Sequence, residues 1–202
     1  MKKKDIKLFF KAISHSDLQT VIGLIDTDQE YLTVCNFAPP KKDEGQSGLQ
    51  VAFKTRNFDI AELLINSGAD VNFIESAEID SWRMPVLHDC IRSVIFNSFT
   101  LQKDTTIFDK ALEILQLMLD KKANPNAIDS YGNNSLNRAF LDTRQVIVHP
   151  YVNWTDDILL TQLRSVFKKL INAGADVDQS NEMRQSVRNS IANYRMDKYN
   201  LI

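Results

Sequence analysis

Few clusters in this 202-residue chain hold the side chains that catalysis and metal binding use. The first is His88-Asp89-Cys90, an imidazole, a carboxylate and a thiol in succession. On a helix, adjacent residues point in different directions, so His88 and Cys90 do not easily grip one ion. The second is His149-Pro150 followed by Asp156-Asp157, a histidine near two carboxylates suited to acid–base or metal chemistry. No further ligand pattern accompanies it, and Thr155-Asp156-Asp157 reads better as a helix N-cap with favourable first-turn charge. His15 is expected to be exposed. Lys2-Lys3-Lys4 and Lys41-Lys42 could touch phosphate or anionic lipid, but neither run has interleaved aromatics or a basic helix behind it. A solvated surface is the expectation there. Glycine-rich phosphate loops, nucleophile elbows and zinc-protease patterns do not occur. The expectation is therefore no catalytic residue, no metal and no cofactor.

Composition narrows the class further. An apolar fraction of 44% is ordinary for a chain that buries a core, and a formal net charge of −2 argues against a dedicated nucleic-acid binder. Cys35 and Cys90 are too few and too far apart for a disulfide framework or a zinc site, which suits a reducing cytosol. Asp5, Lys7 and Lys11 interrupt the segment after the basic start, so a signal peptide is not expected. No apolar run approaches the length that spans a bilayer. These features predict a cytoplasmic protein without membrane or nucleic-acid partners.

What organises the chain is a phrase that recurs three times: Gly68-Ala69-Asp70-Val71-Asn72, Lys122-Ala123-Asn124-Pro125-Asn126 and Gly174-Ala175-Asp176-Val177-Asp178. Each copy follows an apolar helical segment, as Ala61–Ile65, Leu115–Leu119 and Phe167–Ile171 do, and such recurrence is the mark of stacked units. Ile60, Leu63 and Leu64 form a stripe at helical spacing. Gly68 stands where a helix end needs a left-handed residue, and Asp70 and Asn72 are placed to bond the following turn.

With a first helix opening at Leu49 and a second, over Asn57–Ile65, ended by Gly68, the pattern resembles the ankyrin repeat. Pro85-Val86-Leu87-His88 carries a rearranged helix start of that family, and Gly132–Ala139 a degenerate one. The resemblance implies an all-α fold: an ankyrin-type α-solenoid of about four helix-pair repeats with hairpin-like turns, in a single domain spanning 1–202. The approximate units are 5–36, 43–74, 83–126 and 130–178, with a polar capping helix over 182–199. It further implies that His88 hydrogen-bonds between turns and that Cys90 is an inert core thiol. The departures are specific. Leu49 to Gly68 spans 19 residues, whereas Leu87 to Lys122 spans 35 and Leu136 to Gly174 spans 38, giving 16 and 19 extra residues. Asn97–Asp109 and Gln145–Asp157 are the expected insertions, as longer helices or loops. Lys122 replaces the glycine at the helix end.

In ankyrin-like proteins, partners bind a concave face of hairpin fingers and first helices. Carried over by position, that face holds Asp43, Glu44, Gln46, Lys54 and Thr55, then Ser81, Trp82, Met84, Arg92 and Ser93, then Ser130, Tyr131, Asn133, Leu141 and Asp142. Trp82 and Tyr131 are expected either side by side or with Trp82 folded back over the long Phe73–Asp80 finger. The expected function is a monomeric, non-catalytic module binding a protein partner. A narrower form resembles small cytoplasmic ankyrin proteins of bacteria, some of which are immunity proteins that neutralise a cognate toxin. The alternatives are a self-associating or bridging scaffold and, third, an enzyme with its site in the insertions.

Overall fold

The recurring phrase ends three helices by one mechanism. In the computed structural model, which describes residues 1–37, 44–75, 83–98, 105–149, 152 and 157–202, Gly68, Lys122 and Gly174 have φ of +99°, +70° and +93°. The alanine after each turns its amide back onto the helix. Ala69 donates to the Leu64 carbonyl at 2.9 Å, Ala123 to Met118 at 3.0 Å and Ala175 to Leu170 at 3.0 Å. These bonds satisfy carbonyls that a helix end otherwise leaves open. Lys122 adopts the left-handed conformation with a side chain, at a cost of about 1 kcal/mol.

Nine α-helices and no strands occur among the described residues, so the described chain is all-helical. They are α1 (Lys3–Ser14), α2 (Leu18–Thr27), α3 (Gly48–Lys54), α4 (Phe58–Asn66), α5 (Val86–Phe96), α6 (Thr106–Asp120), α7 (Ser135–Ile147), α8 (Ile158–Asn172) and α9 (Val187–Asn193). No helix among the described residues is long and apolar enough to cross a membrane. Ser47 and Asn134 start α3 and α7 with reciprocal capping boxes, paired with Gln50 and Asn137.

Packing proceeds in two rows. Odd-numbered helices touch in order, α1 to α3, α3 to α5, α5 to α7 and α7 to α9; even-numbered helices do the same from α2 to α8. Each odd helix through α7 also packs on the even helix that follows it. The apolar stripes meet between the rows, where Leu49, Phe53, Leu64, Ile91, Leu115, Phe140 and Leu163 are all buried. No helix could cover its own stripe, so each draws stability from its neighbours.

Side chains at the end of each phrase stitch successive copies. Asn72 Nδ2 donates to the Lys122 carbonyl at 3.0 Å while its Oδ1 accepts from Asn124 N at 2.7 Å. One copy later, Asn126 repeats both bonds, to the Gly174 carbonyl at 2.8 Å and from Asp176 N at 2.9 Å. Within each copy the third residue accepts from the amide two places on: Asp70 from Asn72, Asn124 from Asn126 and Asp176 from Asp178.

Two expectations are refined. Helix growth takes up much of the extra length: α5 and α7 run 11 and 13 residues against 7 in α3, and α6 and α8 run 15 against 9 in α4. Residues 99–104, 150–151 and 153–156, including Tyr151 and Trp154, lie outside the described residues. The expected cap over 182–199 is not one helix. Only Val187–Asn193 is α-helical, followed by a left-handed Arg195 and a 3₁₀ turn at Asp197–Tyr199. Met196 N donates to the Ile191 carbonyl at 2.9 Å, the same closure that Asn57 makes to Ala52 after α3. Thus α9 ends as α3 ends, and its Val187 and Ile191 bury against the stack.

Candidate protein-binding face

The described residues that flank the lead-ins to α3 and α5, and the turn before α7, are closed by paired backbone bonds and lie beside one another. The first pairs Asn36 N with the Gln46 carbonyl at 2.8 Å, the second Glu75 N with Met84 at 3.1 Å, and the third Asp129 N with Asn133 at 2.9 Å. Across the gaps, Gln46 Nε2 donates to Glu75 Oε1 at 3.0 Å. Ser130 N donates to the Arg83 carbonyl at 2.9 Å, and Arg83 N to the Ser130 hydroxyl at 3.1 Å. A fourth turn, Asn181–Arg184, joins the row: Asn181 Nδ2 donates to the Gly132 carbonyl at 2.8 Å and Arg184 Nε to the Tyr131 carbonyl at 3.1 Å. Gly132, at φ +76°, has no room for a side chain, since a Cβ would meet Asn181 Oδ1 at 2.6 Å.

The expected face residues divide by exposure. Lys54, Thr55 and Ser130 are exposed, Tyr131 is 55% exposed, and Glu44, Arg92 and Leu141 are partly exposed. Gln46, Met84, Ser93, Asn133 and Asp142 are buried, which corrects their expected place on the surface. Their polar groups serve the stack. Asn133 Nδ2 donates to Asp129 Oδ2 at 2.9 Å, and Asp142 faces Arg138 Nε at 3.4 Å and Arg92 Nη1 at 4.0 Å. Burial pushes the Asp142 carboxyl up, with Arg138 and Arg92 pulling it back. Asp43, Ser81 and Trp82 lie outside the described residues, and with them both expected placements of Trp82.

The clusters that suggested chemistry are dispersed. Burial pushes the His88 imidazole down to about 4, against the pull of Asp129, whose Oδ2 lies 3.8 Å from Nδ1. Arg138 adds to that push and the nearby Ala127 backbone opposes it, though neither ring nitrogen makes a geometrically sound hydrogen bond among the described residues, a correction to the bond expected between turns. Cys90 is fully buried and its thiol is pushed up, which keeps it protonated and inert. His149 is exposed. Asp157 is the N-cap residue of α8, as expected, though without a side-chain cap bond; Thr155 and Asp156 lie outside the described residues. No group of three His, Cys, Asp or Glu side chains among the described residues is placed to hold a metal.

Between α3 and α5 the odd-helix face opens into a groove of about 480 Å³. Phe53, Met84 and Phe96 wall it, Lys54, Arg56 and Arg92 rim it, and Asp89 lies at its floor. Gln50 Nε2 donates to Asp89 Oδ2 at 2.8 Å. Burial pushes this carboxyl up to about 7, opposed by Lys54, the Gln50 bond and Arg92 and reinforced by Glu75. Arg92 also lies over the Phe96 ring, 5.5 Å from its centroid. Arg56 and Phe96 were missed by sequence reasoning. Arg56 carried a signal, since it sits in the short turn between two helical segments, whereas Phe96 reads as one more apolar residue of a stripe.

Compared with protein-family models and with curated protein sequences, the chain gives no significant match.

Proposed function

We propose that the chain is a divergent ankyrin-type solenoid whose function is to bind another protein, without catalysis, through the face made by its hairpin turns and odd-numbered helices. The observation that carries this reading is the repeated stitching. Asn72 and Asn126 make the same pair of bonds to the next copy of one phrase, and that regularity is how a stack presents an unbroken row of turns. Such a row holds exposed side chains on a rigid support, the arrangement that recognition requires. Support also comes from the fate of the reactive groups: His88 and Cys90 are consumed by the core. Tyr131 remains largely exposed on its turn and belongs to a residue type enriched at binding hot spots.

The test is affinity capture from lysate of the source cell with the native chain and with a Trp82→Ala, Tyr131→Ala variant that melts like it. One stoichiometric partner, lost with the variant, is the expected result. Retention of that partner by the variant, or capture of none, overturns the assignment of this face.

A further inference from the structure

The net charge of −2 does not say how charge is placed around the α3–α5 groove. On the odd-helix side Lys54 and Arg56 are exposed and Arg92 is partly so, and the described acids near them lie beneath the surface. Asp89, Asp129, Asp142 and Glu75 are all nearly inaccessible. Asp89, held by Gln50, faces Lys54 and Arg92 from below, and Asp142 lies 4.0 Å from Arg92 Nη1, so Arg92 is partly countered while Lys54 and Arg56 point into solvent. On the even-helix side both signs are exposed: Asp59, Asp109, Glu113 and Asp120 stand beside Lys121, Lys122 and Lys168, and Lys110 is taken up by Glu62 and Asp59. Apolar walls beneath a rim of one sign strengthen the field at the groove mouth.

We infer that the α3–α5 groove receives an acidic segment of the partner protein, its carboxylates on Lys54, Arg56 and Arg92 and one apolar side chain seated against Phe53, Met84 and Phe96. This rests on the protein-binding reading and sharpens it. Charge complementarity carries the choice of partner. Guanidinium groups favour carboxylates through paired, directional hydrogen bonds, and Arg92 is already oriented by the Phe96 ring beneath it. The hollow's 480 Å³ suits one or two side chains. A nucleic-acid strand would instead require a continuous cationic track with successive stacking faces, and here three cations surround one hollow. The same reasoning turns the immunity-like reading away from a basic nuclease, because this face would repel it.

The experiment is a fluorescence-anisotropy titration of the full chain with a fluorescein-labelled peptide of six glutamates flanking a central Leu-Phe pair. Saturable binding at a Kd on the order of 10 µM is expected, weakening several-fold as salt rises from about 50 to about 300 mM. Lys54→Glu with Arg56→Glu should weaken it about tenfold. Both side chains are exposed, so the fold should survive, and an unchanged melting curve checks that. Reversal of Lys121 and Lys168 on the other face should leave affinity within about twofold. No binding, binding indifferent to the groove variant, equal binding of a lysine-for-glutamate peptide, or tighter binding of oligo-dT or phosphatidylserine vesicles each overturns the inference. A captured partner lost with the Tyr131 variant but kept by Lys54→Glu, Arg56→Glu would overturn the groove alone and leave the broader face standing.

Discussion

Asp89→Asn should make the protein more stable, and by an amount that depends on pH in one direction. The wild-type carboxyl is completely buried, and its value rises from 3.8 to about 7 because burial outweighs Lys54, the Gln50 bond and Arg92. In the unfolded chain the group ionises near its ordinary value. Between pH 4 and 7, therefore, the folded state holds a proton that the unfolded state has released. Stability from this group is complete below about pH 4 and is lost as pH rises through about 7. At about 1.4 kcal/mol per pH unit the loss is about 4 kcal/mol. Asparagine has the shape of the protonated acid, and its carbonyl can accept the bond that Gln50 Nε2 now gives to Oδ2 at 2.8 Å. The variant should thus exceed wild type by about 1 kcal/mol at pH 4.5 and about 4 kcal/mol at pH 8.

His88 sharpens the test, because it titrates in the same window with the opposite sign. Burial depresses its imidazole from 6.5 to about 4, so its contribution is present above pH 6.5 and is lost as pH falls through about 4. In wild type the two slopes nearly cancel from pH 4 to 6.5. In Asp89→Asn the histidine is opposed only by Asp142, whose carboxyl burial also pushes up, so stability should climb with pH by up to about 3 kcal/mol over that range. Urea unfolding followed by circular dichroism at several pH values gives both curves. A difference between variant and wild type that does not change with pH would refute the reasoning, as would a variant less stable at pH 8.

Three further outcomes follow from the packing. Leu64→Ala removes a buried side chain between the rows and should cost about 2–5 kcal/mol by urea unfolding, with little collapse to refill the space. Asn126→Ala breaks the bonds to the Gly174 carbonyl and from Asp176 N, and should lower stability by about 1–2 kcal/mol while an exposed control such as Gln19→Ala changes almost nothing. Lys122→Gly relieves a left-handed residue and should raise stability by up to about 1 kcal/mol, read as a higher melting midpoint.

The parts of this molecule that could be read from the chain are those whose cause is local. A glycine or lysine after an apolar turn, an alanine and an Asx residue determine a helix end within five positions, so the three phrases located three ends. The partition of the extra residues was not local. Helices α5 to α8 are all lengthened and pack on one another, a match between units that no single unit contains. The face failed in the same way. Gln46, Asn133 and Asp142 are polar and lie at turn or helix positions that a repeat pattern leaves open, but Glu75, Asp129 and Arg138 draw them inward. A summed charge has the same blindness, because it counts a buried acid and an exposed one alike. Asp89, Asp129, Asp142 and Glu75 enter the total of −2 in full, yet a partner approaching the α3–α5 groove meets Lys54, Arg56 and Arg92 first. The acids that lower the net charge thus leave that groove with a cationic rim, and its sign rather than the total should select what binds there.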